Sequence, residues 1–401
     1  MTATSNRSDT KQGSGRIKVC QVLYGLGIGG IETLAVKLFN RMDRDQFEHV
    51  VINLTPADDL VSEIEPGAAK LYFLNKGPGT DLRIFPEITR IMLREKPDVI
   101  HTRNWTTLVE GVVPSLAARV PGRVHSFDGL NADNLGEEPA RRIWAQRLLL
   151  KSVQKIVARS EAMRDAMAQQ LKLDPSTIQL IADGIDLARY DKPLDRLAIR
   201  AKFGIGADDP VVGIVARLDP VKDHRTLFRA VARVVPEAPR LKVLVVGGGP
   251  IEAELRAEVS GSPIAGNVIF TGPQLDVPSL YHAMDYYAQP SLYEGVSGSI
   301  LEAMSAYLPV LSTAVGGTVD IVKEDFNGHL VPSGDDAGLA AGLLRLVREP
   351  AHARALGKNG RQFVEDHYSL ARVIALYSRV YRDACGSHGD VRPHLTSPGG
   401  I

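Results

Sequence analysis

Short apolar runs alternate with longer amphipathic stretches along almost the whole chain, and this alternation constrains the fold more than any other feature. In the first half the runs are Ile17–Tyr24, His49–Leu54, Lys70–Leu74, Val99–Thr102, Arg123–Ser126, Lys155–Ala158 and Ile178–Ile181. In the second half they are Val211–Val215, Lys242–Val246, Val268–Thr271, Tyr286–Gln289, Val310–Thr313 and His329–Val331. Apolar strands alternating with helices make βαβ units on a parallel sheet, whose strands are covered on both faces. The pattern restarts after Asp186–Pro210, a charged stretch with few β-branched residues. A chain of 401 residues is too long for one ordinary domain and comfortable for two. The expected fold class is α/β, with two Rossmann-like domains at 16–190 and 191–368 facing a central cleft. Ligands of such sheets bind beyond the carboxyl ends of the strands, and sites favour domain interfaces.

Composition excludes several classes. Formal net charge is zero, so nothing global favours nucleic acid. No run of 18 apolar residues occurs, which predicts no membrane-spanning helix. The first residues, MTATSNRSDTKQGSG, lack the apolar core of a secretory signal. Cys20 and Cys385 are the only cysteines, and Cys20 sits inside an apolar strand pattern, as a buried free thiol would. A cytoplasmic, reducing location is expected. The tails 1–15 and 386–401 read as disordered from their polar, Gly- and Pro-containing composition.

The chemistry concentrates in Pro290–Val310, PSLYEGVSGSILEAMSAYLPV. Glu294 falls in a Gly/Ser-rich turn and Glu302 in the helix that follows. Continuous helix would set two carboxylates eight positions apart at about 80° to one another. A turn followed by a helix can instead aim both into one crevice. The N–H groups of Ser297, Gly298, Ser299 and Ile300 would lack intrahelical partners, and such a helix end attracts phosphate. Carboxylates suit sugar hydroxyls, so the pair of features describes a site for a nucleotide-linked sugar. Ser299-x-x-Glu302 also fits a capping box, in which Glu302 only closes the helix end.

This segment resembles the signature of the retaining glycosyltransferases of the GT-B fold, family four. PSLYEG, LEAM, PV and STAVGGTVDIV match that signature in order, with Ser297 where many members have Pro and Tyr307 where most have Gly. EGVSG-SILEAM is most similar to bacterial members associated with exopolysaccharide gene clusters. The resemblance implies a nucleotide-diphosphate sugar (UDP or GDP) as substrate, with no cofactor. It also implies that the terminal helix, 369–385, packs back on the first domain.

Other turns fit the same reading. Gly25, Gly27 and Gly30 satisfy G-x-G-x-x-G after the first strand, the mark of a dinucleotide site. That alternative, an NAD(P) oxidoreductase, needs an acid at the end of the next strand, which instead ends Asn53-Leu54-Thr55. In the resembled family a Gly-rich turn stands here, matched by Gly29-Gly30-Ile31-Glu32, and glycine lets the backbone approach a phosphate. Arg217 and Lys222 flank a Pro-containing turn after Val215, where the family's Arg and Lys hold the donor diphosphate. Two fixed cations can replace a divalent metal there. His224 reads as turn surface. Gly247, Gly249, Gln274 and Leu275 match the base-binding wall. The single D-x-D, Asp43-Arg44-Asp45, lies between a helix and a strand and reads as surface, and no His/Cys cluster has metal-ligand spacing. No metal is expected.

In the first half His125 ends a strand, and in the family a His there faces the donor sugar; Asp128 is a second candidate. His101 and Arg103 end the neighbouring strand and can line the acceptor side, with Trp105 as a stacking surface for a sugar ring or as core. The stretch Glu138–Lys151 carries Arg141, Arg142, Arg147 and Lys151 beside Ile143, Trp144 and Leu148–Leu150. It predicts a basic amphipathic helix that either touches an anionic membrane or buries its leucines in the first domain. The residues and the resemblance together imply a metal-independent retaining glycosyltransferase of exopolysaccharide or cell-envelope glycan synthesis, with a saccharide or a lipid-linked glycan as acceptor, the latter at the inner face of the cytoplasmic membrane. A non-catalytic sugar-binding protein is the remaining alternative. Retention by double displacement needs a carboxylate nucleophile. None is identifiable, so the resemblance implies attack on the face the leaving phosphate departs from.

Overall fold

A computed structural model describes residues 15–27, 30–56, 59–77, 79–128 and 139–386. Both tail expectations, apart from Gly15 and Gly386, lie outside the described residues, as do Gly29 and Glu138. The chain divides into two compact units, 1–181 with 374–401, and 182–373.

The first unit is built on seven parallel strands: β1 (Ile17–Leu23), β2 (Phe47–Asn53), β3 (Lys70–Phe73), β4 (Val99–Arg103), β5 (Gly122–Phe127), β6 (Lys155–Ala158) and β7 (Ile178–Leu180). Their order is β3-β2-β1-β4-β5-β6-β7. The second unit has β8 (Val211–Val215), β9 (Lys242–Val246), β10 (Val268–Gly272), β11 (Tyr286–Gln289), β12 (Val310–Thr313) and β13 (Gly328–Val331), in the order β10-β9-β8-β11-β12-β13. Both are doubly wound sheets whose order reverses beside the first strand, β1 against β4 and β8 against β11. Each sheet is parallel throughout, so in each unit the strand carboxyl ends share one edge.

Burial explains why every strand was visible as an apolar run. Val19, Val22, Val50, Ile52, Val99 and Ile100 have no solvent exposure, and neither do Val211, Val212, Val243, Val245, Val310 and Leu311. Helices such as His224–Val234 cover the faces, this one burying Leu227, Phe228, Val231 and Val234. The last helix, Leu370–Ala384, crosses the boundary at Val373. From Ile374 onward it belongs to the first unit, where the Tyr381 hydroxyl accepts a 2.7 Å hydrogen bond from Gln21 on β1. Cys20 is a buried free thiol whose pKa burial pushes up to about 12. Among the described residues no helix is long and apolar enough to cross a membrane.

Candidate active site

In the second unit, the carboxyl ends of β8 and β11 bring two sequence-distant turns together. After β8 the chain passes Arg217, exposed, and enters a short turn at Pro220–Lys222. After β11 it runs through Pro290 and Ser291 to Glu294. The two turns are joined by a backbone bond from Leu292 N–H to the Val221 carbonyl, 2.8 Å. Lys222 Nζ then lies 2.6 Å from Glu294 Oε1. Glu294 is 8% exposed, and the same oxygen accepts from Ser291 Oγ at 2.6 Å and from Gln289 Nε2. All three bonds converge on Oε1. A carboxylate held by a cation and two neutral donors is fixed in position, not free to sample rotamers.

The backbone under Glu294 is equally constrained. Gly317 N–H donates to the Glu294 carbonyl at 3.2 Å, and Gly316 adopts φ +49 beside it. A Cβ on Gly316 would lie 1.9 Å from that carbonyl oxygen. The Val-Gly-Gly turn after β12 is therefore glycine because a side chain would displace Glu294. Gly247 meets a similar limit after β9. Its φ is +132, and a Cβ would stand 2.1 Å from the Ala216 carbonyl, so the chain after β9 packs directly against the Arg217 turn.

The helix Gly298–Ser305 begins immediately beyond Glu294. Its N-cap is Ser297, which makes no side-chain cap bond. Ser297 Oγ instead donates to Gln289 Oε1 at 3.2 Å, and Ser299 Oγ to the same oxygen at 2.8 Å. Proline at 297 could make no such bond. Because Ser299 lies inside the helix and Glu302 in its second turn, the capping-box reading fails. Glu302 Oε2 accepts from the Tyr281 hydroxyl at 3.0 Å, and Tyr190 lies beside it. Both phenol pKa values are raised, chiefly by burial and then by the Glu302 charge. The two carboxylates thus sit at either end of one polar network. The amides of Gly298, Ser299 and Ile300, which lack intrahelical acceptors, lie between them in sequence. Gln274 and Leu275, with Gly247 and Gly249, follow the carboxyl ends of β10 and β9. Gln274 is exposed with its amide on the Thr271 carbonyl, 2.9 Å, and Leu275 is fully exposed.

The first unit presents a second cluster at the ends of β4 and β5. His125 is fully buried, with Nδ1 2.9 Å from Thr102 Oγ1. Arg103 Nη1 and Asp128 Oδ2 form a buried ion pair at 3.0 Å. His125 Nε2, Arg103 Nε and Nη2, and Asp128 Oδ1 are buried with no hydrogen-bond partner among the described residues. Glu32, in the first turn of the helix Gly30–Arg41, has its pKa raised, chiefly by burial and partly by Asp128; Arg103 and Arg159 oppose the rise.

Two expectations for individual residues change, for His101 and His224, and of the two roles open to Trp105 the structure shows core packing. His101 does not line a surface: it is fully buried, with Nδ1 2.9 Å from Tyr381 Oη and Nε2 2.7 Å from Ser126 Oγ. It positions the end of β4. Trp105 packs against the first unit's core, and the Arg142 guanidinium lies 4.9 Å from its ring centre, so that face is covered. His224 is buried at the start of its helix, not on the turn surface. Asp43 behaves as expected for surface: its carboxylate accepts from Asp45 N–H at 2.8 Å and closes the turn before β2. Sequence reasoning missed Gln289, Ser291, Tyr281 and Tyr190 as partners of the two glutamates, although Gln289 and Ser291 flank the first proline of the motif.

The buried histidines give a pH prediction. Burial lowers the pKa of His49, His125 and His224 to about 4 each. Their folded values lie below the unfolded value of about 6.5, so the unfolded chain binds more protons in between. Stability is full above about pH 6.5 and is lost as pH falls towards 4. Urea midpoints measured from pH 7.5 to 4.5 should fall steadily below 6.5; a flat or rising profile contradicts neutral burial of these rings.

Residues 195–363 match the family model described as Glycosyl transferases group 1, and residues 28–189 the model described as Glycosyltransferase Family 4. The chain is 22% identical over 384 residues to UDP-Gal:alpha-D-GlcNAc-diphosphoundecaprenol alpha-1,3-galactosyltransferase of Escherichia coli, covering 92% of this chain and 97% of the relative. It is 34% identical over 284 residues to D-inositol 3-phosphate glycosyltransferase of Rhodococcus opacus, covering 67% and 64%. Among solved structures it resembles Anabaena Alr3699/HepE in complex with UDP, with a TM-score of 0.77, 21% identity, and coverage of 92% of this chain and 100% of that one. That likeness shows the fold, and the oxidoreductase alternative finds no support in any of these matches. With one glycosyltransferase model on each unit, the chain belongs to the group 1, family 4 glycosyltransferases and is a glycosyltransferase enzyme of the GT-B fold.

Proposed function

We propose that this glycosyltransferase moves a sugar, with retention and without a metal, from a UDP- or GDP-sugar to a lipid-linked saccharide. The observation that carries the donor reading is the Lys222–Glu294 pair, a cation and a carboxylate locked together at adjacent strand ends. An ammonium has three donors. One is spent on Glu294, and the other two have no partner among the described residues and can face a diphosphate. Arg217 adds a second cation on the same turn, and the helix start at Ser297–Ile300 adds amides. Breaking the anomeric bond builds charge on the leaving diphosphate, so these groups act most strongly in the transition state. Glu294 would hold a hydroxyl of the donor sugar, and Glu302 the ribose hydroxyls. Gly247, Gly249, Gln274 and Leu275 would flank the base.

His125 Nε2 supports a contact with the donor sugar from the first unit. A buried polar atom without a partner is costly, and a ligand hydroxyl would satisfy it. Arg103, Asp128 and Trp105 would shape the acceptor side, Trp105 through its packing. No side chain among those described stands as an evident carboxylate nucleophile, so the proposed attack comes from the leaving-group face, with the departing phosphate taking the acceptor proton. Incubating the protein with a panel of UDP- and GDP-sugars and a polyprenyl-diphosphate-linked saccharide should release nucleotide with one donor, equally in excess EDTA. Release that depends strictly on Mg²⁺ or Mn²⁺ would overturn metal independence, and no release with any donor would overturn the function.

The lipid-linked acceptor rests on the relative that uses diphosphoundecaprenol and on the helix Ala140–Leu150. That helix combines the two expectations: it buries part of its apolar set in the first unit and leaves a second face in water. Arg147 donates to the Leu171 and Gln170 carbonyls at 3.0 and 2.8 Å, Arg142 covers Trp105, and Ile143, Leu149 and Leu150 pack inward. The face left in water carries Arg141, Trp144, Leu148 and Lys151, with Trp144 66% and Leu148 50% exposed. An aromatic and a leucine one turn apart between two cations suit the headgroup boundary of an anionic leaflet, and each cation there contributes about 1 kcal/mol. Co-sedimentation with anionic but not neutral vesicles, weakened by salt, by Trp144→Ala and by Arg141→Glu with Lys151→Glu, is the expected result. Absence of sedimentation with either vesicle would point to a soluble acceptor and a location away from the membrane.

A further inference from the structure

The opposite edge of the second unit's sheet carries a cluster that glycosyl transfer does not use. β13 is an edge strand, and the turn that feeds its amino end is firmly built. Lys323 N–H donates to Asn327 Oδ1 at 2.7 Å, Asn327 Nδ2 to the Ile321 carbonyl at 3.0 Å, and Asp325 N–H to the Gly328 carbonyl at 3.1 Å. This turn presents Glu324 and Asp325. His329 follows on β13 and is buried, and His352 comes from the first turn of the helix Pro350–Tyr368. His329 Nε2 lies 3.4 Å from His352 Nε2, and His352 Nε2 lies 3.6 Å from Asp325 Oδ1. One ligating atom from each of the three residues falls within 4.8 Å of the others.

The geometry has a chemical reading. Glu324 Oε1 is 2.7 Å from His329 Nδ1. An ionised carboxylate only accepts, so Nδ1 carries the proton and Nε2 presents its lone pair. That is the carboxylate–histidine arrangement found behind metal-bound imidazoles. A separation of 3.4 Å is long for an N–H···N hydrogen bond. It matches the edge of about 3.3 Å that two nitrogens make on a tetrahedron with metal–nitrogen bonds of about 2.05 Å. Charge favours a cation too: Glu324 and Asp325 stand at the cluster, and the neighbouring Arg345 is paired with Asp325 at 2.8 Å and with Glu349 at 3.6 Å. The helix start at Pro350 opposes a cation, but by a fraction of a kcal/mol to about 1 kcal/mol at an exposed end.

We propose that Asp325, His329 and His352 form a Zn²⁺ site. Two imidazoles and a carboxylate suit zinc, with water completing the tetrahedron. The ion would tie the start of the helix Pro350–Tyr368 to the turn before β13. Further along that helix, Arg361 Nη1 donates to the Ser305 carbonyl, 2.8 Å, at the end of the helix that carries Glu302. The site is structural, lies at the strand ends away from Lys222 and Glu294, and does not depend on the donor assignment.

The test uses the full chain, freed of metal with a chelator and desalted, then titrated with zinc chloride against a chromophoric chelator. Cobalt(II) serves as a second probe, since tetrahedral coordination gives it intense visible bands. Wild-type protein should bind one equivalent that His329→Gln and His352→Gln each weaken more than about tenfold. Zinc should raise Tm in the wild type and not in either variant, while nucleotide release stays unchanged. His352 is a quarter exposed, so His352→Gln should keep the metal-free Tm, and Asp325→Asn replaces His329→Gln if the latter fails to fold. Zinc affinity and zinc-induced Tm shift that are the same in wild type and His352→Gln would overturn the site and identify the contact as a histidine–histidine hydrogen bond. No binding by wild type at about tenfold excess zinc would overturn it as well.

Discussion

Lys222→Ala is expected to lower turnover by about 10²–10³-fold, the usual effect of removing one preorganised stabiliser of developing charge, with little change in Tm. Lys222 is only partly buried, and in its absence Glu294 keeps its bonds from Ser291 and Gln289, so the loss of stability should be small. Arg217→Ala should act in the same direction with little change in Tm, because the guanidinium is exposed and forms no ion pair among the described residues. The ion pair sharpens the expectation. Lys222 and Glu294 share one contact, so the double variant should lose far less than the product of the two single losses. Additive losses would show that the two residues act on separate parts of the reaction. Near-normal turnover in both Lys222→Ala and Arg217→Ala would remove the diphosphate from this turn.

The two glutamates should part by role. Glu302→Gln is expected to weaken UDP or GDP binding, because hydrogen bonds from ribose hydroxyls to a charged group contribute roughly 1.5–3 kcal/mol, about 10- to 150-fold in Kd. Glu294→Gln should bind nucleotide nearly as well and transfer poorly, since its partners are Lys222 and the sugar. Isothermal titration and initial rates separate the two. The opposite pattern, with Glu294 controlling nucleotide affinity and Glu302 controlling only rate, would exchange the assignments. A change in Tm without any change in affinity for Glu302→Gln would make Tyr281 and Tyr190 its whole purpose.

The fold was almost fully legible because a parallel sheet covered on both faces forces its strands to be apolar without interruption. Each of the thirteen predicted runs became a strand, with ends moved by a residue or so. The glutamates were legible because their spacing sits inside one continuous segment. Their partners were not: Lys222 is 72 residues from Glu294, and no local pattern announces that pairing. Polar residues at strand ends were the hardest to read. His101 and His125 look alike in sequence, but Tyr381, 280 residues away, occupies one ring nitrogen of His101, whereas His125 Nε2 has no partner among the described residues. The rotation of the helix Ala140–Leu150 was hidden for a related reason. Arginine can snorkel or cap as readily as face water, and only the carbonyls at the end of the helix Glu161–Leu171 explain why Arg147 turns inward. The Asp325–His329–His352 cluster joins a turn, a strand and a helix, and its 23-residue gap from His329 to His352 matches no ligand spacing.

The donor site itself is tested most directly by calorimetric titration of UDP and GDP into wild-type, Lys222→Ala and Glu302→Gln protein. Saturable one-to-one binding of one nucleotide, weakened in both variants, is the predicted result. Binding of neither nucleotide, or binding that both substitutions leave unchanged, would contradict it.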